Sequence, residues 1–201
     1  METINDLYVR SSISQYAMGL LFFIGLLANM DNIFRLLPDV YSGSAAVIIL
    51  IGFGNLVSGS GGVNGAVLST SSLYRYQTWL MFILIGLFVT TSVIFIPLFG
   101  ITGAALATMT SNIIYSMLGI VLAGKRFGLW PYSTVHLKMT LVAAVALGAG
   151  YVMPEISLIP DILIRSLIVG VIFTAGVWFW KLSDDLNGVA ESLLDRFRRK
   201  H

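Results

Sequence analysis

IPLFGITGAALATMTSNIIYSMLGIVLAGKR, from Ile96 to Arg126, decides the reading of this chain. It carries no charge before Lys125, and a Pro97–Gly100 break leads into the small-residue run Gly103-Ala104-Ala105-Leu106-Ala107-Thr108. A strand of this length would be punctuated by turn residues and enriched in branched side chains. A long, Gly/Ala-rich apolar run instead suits a helix packed closely against other helices in lipid.

The composition around it agrees. Of 201 residues, 57% are hydrophobic and 11% charged, less than half of the roughly 25% charge of a soluble domain. The mean hydropathy is +0.87. Cysteine is absent, which excludes disulfides, thiolate metal sites and a Cys nucleophile. The sequence pI of about 9.0 would suggest nucleic acid for a soluble protein. Here the basic residues flank apolar runs, so they read as membrane topology, and no nucleic-acid partner is expected. The first fifteen residues are polar and contain no apolar core of a cleavable signal peptide.

Working outward, the apolar segments give an all-α polytopic transmembrane bundle of about six spans, at 16–37, 43–70, 79–97, 102–124, 139–154 and 162–180. Residues 1–180 form one transmembrane lobe, and 181–201 a cytoplasmic basic tail. The loops test this count. With the N-terminus inside, the inner segments hold ten of the twelve Lys and Arg, while 38–42, 97–102 and 154–161 hold none. The positive-inside rule then places both termini in the cytoplasm. Arg165 lies close enough to the end of the last span to reach the interface. In the tail, Ser183 can cap a helix whose first turn holds Asp184 and Asp185. Leu186, Val189, Ala190, Leu193, Leu194 and Phe197 recur at helical spacing, giving an amphipathic helix that ends in a basic cluster. That helix either touches anionic headgroups or only sets topology.

Few residues could carry chemistry. Ser58, Ser60 and Ser69 are the candidate serines in the second span, and the histidines are His136 and His201. Neither histidine has a carboxylate spaced to orient it, and no two can share a helix face for a metal. No enzyme, catalytic residue, metal or cofactor is therefore expected. Asp31 and Arg35, four residues apart on the first span, can pair at membrane depth or extend to the outer headgroups near Pro38. The second span is the polar one, with Asn55, Ser58 and Asn64 set among glycines. Such breakable helices bend in transporters and line the substrate route, although close small-residue packing would use the same glycines. The asparagines add nothing to close packing, so a cavity or hinge is expected there. Asn112 and Tyr115 on the fourth span can share the lining.

Tyr41 to Gly128 resembles the C-terminal lobe of polysaccharide-unit flippases, the Wzx/RfbX-type members of the multidrug/oligosaccharidyl-lipid/polysaccharide exporter superfamily. The resemblance rests on the Gly-rich span, the short inner loop Ser71–Thr78, and the junction Ile96-Pro97-Leu98-Phe99-Gly100-Ile101-Thr102-Gly103-Ala104-Ala105-Leu106-Ala107-Thr108. In that family the corresponding junction joins two helices on the outer side. The chain departs from the pattern in two ways. Only Arg75 stands for the family's basic turn after the Gly-rich span, and six spans match the last six helices of a twelve- or fourteen-helix protein.

What the resemblance implies is a bacterial inner-membrane protein that flips polyprenyl-pyrophosphate-linked oligosaccharide units by alternating access. It would work with a second transporter lobe or with polysaccharide assembly proteins. Asn55, Ser58, Asn64, Asn112 and Tyr115 become substrate-cavity candidates. Arg75 and Lys125 become candidates for drawing an anionic headgroup at the inner mouth, positions that the positive-inside rule alone also accounts for. A drug or small-solute exporter of the same superfamily, or a non-transporting membrane subunit, are the alternatives.

Overall fold

The computed structural model describes residues 2–41, 43–72, 74–154, 156–180 and 182. The tail helix expected from Ser183 onward lies outside them. Among the described residues every regular element is helical: α1 (Glu2–Ala28), α2 (Met30–Leu36), a 3-10 turn (Asp39–Tyr41), α3 (Ala45–Gly59), α4 (Asn64–Thr70), α5 (Tyr74–Phe127), α6 (Thr134–Tyr151) and α7 (Leu158–Phe179). Four of these, α1, α5, α6 and α7, are long and apolar enough to cross a membrane. The pair α3 and α4, bent by 50° at the intervening break, passes the same test together.

The 54-residue α5 is two helices joined at a sharp turn. Gly100 leaves the helical region there with φ 58° and ψ −130°, a left-handed conformation that costs a residue with a Cβ about 1–2 kcal/mol. Pro97 lies just ahead of it and contributes no backbone N–H to the helix. The arms then fold back on each other. Gln77 Nε2 donates to Tyr115 OH at 2.7 Å, the Thr91 and Ser111 hydroxyls lie 3.1 Å apart, and the Arg126 guanidinium sits 5.8 Å above the Tyr76 ring. Residues early in the first arm thus meet residues late in the second, which is antiparallel pairing. Gly103 completes the turn, because a Cβ there would fall 2.0 Å from the Phe95 carbonyl oxygen. The junction that singles out the sequence is therefore a helical hairpin, and its second glycine is fixed by the closeness of the arms.

Two packing units build the rest. In the first, α1, α6 and α7 enclose an apolar core that includes Leu20, Ile24, Met139, Ala143, Ala146, Val169, Phe173 and Val177. Small residues set its spacing: a Cβ on Gly150 would lie 2.8 Å from Val169 and 3.3 Å from Ala28. In the second, α3 packs on the second arm of α5. Gly54 lies against Met109, Ser58 against Ser116 and Gly61 against Ile120, a rising sequence on both sides that makes these helices parallel. Against α1, Gly52 meets Phe23, Leu56 meets Gly19 and Ser60 meets Ser12, so that contact is antiparallel. The row of helices is consequently first arm, second arm, α3, then α1 with α6 and α7.

Polar networks close the α1–α6–α7 unit at both ends. At one end Arg165 is buried, where the sequence suggested an interfacial side chain. The reason is a set of partners that neutralises it. Its Nε and Nη2 donate to the Asp161 carboxylate at 3.2 and 3.3 Å, and Nη1 donates to the Gly150 carbonyl at 3.0 Å. Asn32 Nδ2 donates to the same carboxylate. A buried charge is tolerated only when paired and hydrogen-bonded in this way.

Candidate functional site

The sequence marked the second span as breakable, and the break runs through Ser60, Gly61, Gly62 and Val63 between α3 and α4. Gly62 has φ 59° and packs on α1, where a Cβ would sit 2.8 Å from the Ser12 nitrogen. Glycine is needed there for both reasons. The freed backbone is partly met by side chains. Ser12 Oγ donates to the Ser60 carbonyl at 2.5 Å, and Ser60 Oγ donates to the Val57 carbonyl at 2.6 Å.

His136 braces this break from α6. The Ser133 backbone N–H donates to its Nδ1 at 3.2 Å while the Ser133 side chain accepts from Val135 N, a capping arrangement at the start of α6. With Nδ1 accepting, the ring proton resides on Nε2, which faces Ser12 Oγ at 3.0 Å. The chain of donors runs His136 Nε2–H to Ser12 Oγ–H to the Ser60 carbonyl. This is opposite in direction to a general base drawing a proton from serine. Sequence spacing hid the network because Ser12 and His136 are 124 positions apart.

Beside the break lies a cavity of about 90 Å³ lined by Ser58, Asn64, Gln77, Tyr115, Ser116 and glycines of the break, α4 and α5. The Ser58 and Ser116 hydroxyls share a hydrogen bond of 2.5 Å, and Tyr115 OH accepts from Gln77 at 2.7 Å. Asn64 is buried, and its Oδ1 has no hydrogen-bond partner among the described residues. An unmet buried acceptor costs about 1–3 kcal/mol. Ser58, Asn64 and Tyr115 thus meet at one place, joined by Gln77 and Ser116, which no sequence pattern singles out.

Asn55 and Asn112 stand on the open side of the same contact. Because α3 and the second arm run parallel, helical periodicity puts Asn55 on α3 and Thr108, Asn112 and Tyr115 on α5 along one side of their seam. Asn55 is exposed and Asn112 half-buried. The opposite side of the seam presents Phe53, Val57, Ile114, Met117 and Val121, with Thr110 as its hydroxyl. One side carries the amides Asn55 and Asn112 together with Ile51, one turn before Asn55, and the other is hydrocarbon apart from Thr110.

The remaining candidates lie apart from this face. Asp31 and Arg35 are exposed on α2, and the side chain of that helix which turns inward is Asn32. Arg75 is exposed at the start of α5, its Nε 3.2 Å from Tyr74 OH, and Lys125 is exposed in the last turn of α5. Among the described residues no group of three His, Cys, Asp or Glu side chains could hold a metal ion. Comparison with protein-family models, characterised proteins and solved structures gives no match for this chain.

Proposed function

We propose that this chain is one lobe of a membrane transporter that flips polyprenyl-pyrophosphate-linked oligosaccharide across the bacterial inner membrane. The observation that supports it is the sidedness of the α3–α5 seam. In a bilayer, exposed amides at mid-helix are costly unless they face protein or water, whereas the hydrocarbon side needs only lipid. A lobe with one polar and one apolar side is suited to enclosing an aqueous cavity with a second lobe. Amides, a phenol and hydroxyls on that side are the neutral hydrogen-bonding groups that suit sugar hydroxyls, and they carry no fixed charge that would select an ionic drug.

The topology that goes with this reading has six spans. α1 with α2, α3 with α4, the two arms of α5, α6 and α7 each cross once, and both termini are cytoplasmic. Each arm of α5 is about 40 Å long at 1.5 Å per residue, enough for a hydrocarbon core of about 30 Å. Transport proceeds by rocking of the lobe against its partner, with the α3/α4 break as the flexing point.

The test is complementation in the strain of origin lacking this chain, with surface oligosaccharide as readout. Asn55→Leu combined with Asn64→Leu is expected to abolish export while the protein still reaches the membrane. Undiminished export with both amides removed would refute the cavity reading.

A further inference from the structure

A second and larger concavity lies away from the polar seam. It has a volume of about 530 Å³ and is bounded by the start of α1 (Ile4, Asn5), the end of α4 (Val67, Thr70) and the residues closing α5 (Phe127, Leu129). That volume lies in the ~300–1,000 Å³ range of sites that hold a drug-sized molecule. Its walls are mostly apolar, while Asn5 and Thr70 supply hydrogen-bonding groups. On the α4–α5 side of the groove the nearby charges are cationic. Lys125 and Arg126 immediately precede Phe127, and Arg75 lies a few residues beyond Thr70; all three are exposed. Arg126 stacks near Tyr76 and Arg75 near Tyr74, so among the described residues both guanidinium groups rest against aromatic rings. Asp6, beside Asn5, is already engaged by Arg10 at 3.1 Å.

We infer that this groove seats an acyl chain of an anionic phospholipid, with the lipid phosphate held by Arg75, Lys125 and Arg126. An apolar slot with a cationic rim is complementary to a molecule that is hydrocarbon at one end and anionic at the other. Basic pockets between transmembrane helices recognise anionic headgroups by the same combination. Assigning the lipid to the cytoplasmic leaflet rests on the topology of the proposed function; binding itself does not. The lipid would brace the ends of α1, α4 and α5, the three elements around the hinge end of the second span.

The experiment is native mass spectrometry of the full chain released from nanodiscs of equimolar phosphatidylglycerol and phosphatidylcholine. One phosphatidylglycerol is expected to be retained in preference to phosphatidylcholine. That preference should fall by about fivefold for each cation neutralised by Arg75→Gln, Lys125→Gln or Arg126→Gln. Val67→Trp, which fills the slot and leaves the cations, should lower retention of both lipids. Equal retention of the two lipids by the unaltered chain would overturn the proposal, as would a Val67→Trp variant that binds normally. Polyprenyl phosphate displacing phosphatidylglycerol at equal concentration would also overturn it, assigning the groove to a carrier lipid. Cysteines at Val67 and Leu193, in a chain with none of its own, test the chain's own tail as occupant. A disulfide forming in high yield with phosphatidylglycerol present would give the groove to the tail. A failed complementation result for the polar seam leaves every one of these outcomes unaffected.

Discussion

Replacing Gly103 by alanine tests the hairpin directly. The added Cβ would sit 2.0 Å from the Phe95 carbonyl oxygen and 2.5 Å from its carbon, whereas real Cβ contacts stay beyond 3.0 Å. The arms must therefore separate by about 1 Å at the turn, and backbone cannot rotate aside as a side chain can. Overpacking of this kind costs about 1–3 kcal/mol. Stretching the Thr91–Ser111 hydrogen bond adds about 1 kcal/mol, and the better helix propensity of alanine returns about 1 kcal/mol. The net loss is about 2 kcal/mol. Gly86→Ala is the control: that position is exposed, lies mid-arm and has open space around its Cβ, so it should gain about 0.5–1 kcal/mol. Unfolding in mixed micelles, followed by excimer emission from pyrenes on cysteines at Tyr76 and Arg126, should place the two variants about a hundredfold apart in folding equilibrium. If Gly103→Ala is as stable as Gly86→Ala, the arms do not approach as described.

Other expectations follow from the buried polar groups. Arg165→Leu strands the Asp161 carboxylate and should cost about 3–5 kcal/mol, whereas changing both residues to leucine should recover most of that loss in the same unfolding measurement. His136→Leu removes the donor to Ser12 and the acceptor of the Ser133 N–H, so a loss of about 1–3 kcal/mol is expected; a neutral effect would show that the hinge is held without it. Asn64→Leu should separate stability from function. Removing an unmet buried acceptor leaves the midpoint unchanged or higher, while export falls. A variant that loses stability and keeps export would contradict the role given to Asn64.

Much of this arrangement was legible in the sequence because lipid imposes a simple rule: long apolar runs become helices, and glycines mark where helices touch or turn. The Gly100–Gly103 junction and the break near Gly61–Gly62 follow from that rule. Ser58, Asn64 and Tyr115 could be chosen because polar side chains are costly among apolar neighbours. What the sequence hid depends on distance along the chain. The partners of His136, Arg165 and Tyr115 lie on other helices, and no local period announces them. Arg165 looked interfacial because its partner Asp161 falls in the segment 154–161 assigned to an outer loop, and Asn32 was overshadowed by the charges of Asp31 and Arg35. The α1 helix also begins far ahead of the expected span at 16, at Glu2, since polar residues can extend a helix beyond the membrane at no cost in hydrogen bonds.

The central claim is that one side of the α3–α5 seam faces water and the other lipid. Single cysteines at Asn55, Asn112, Phe53 and Val121, placed in a chain free of native cysteine, can be reacted with a membrane-impermeant maleimide in sealed and permeabilised cells. The account predicts rapid labelling at Asn55 and Asn112 and almost none at Phe53 and Val121. Equal labelling on the two sides, or labelling confined to Phe53 and Val121, would contradict it.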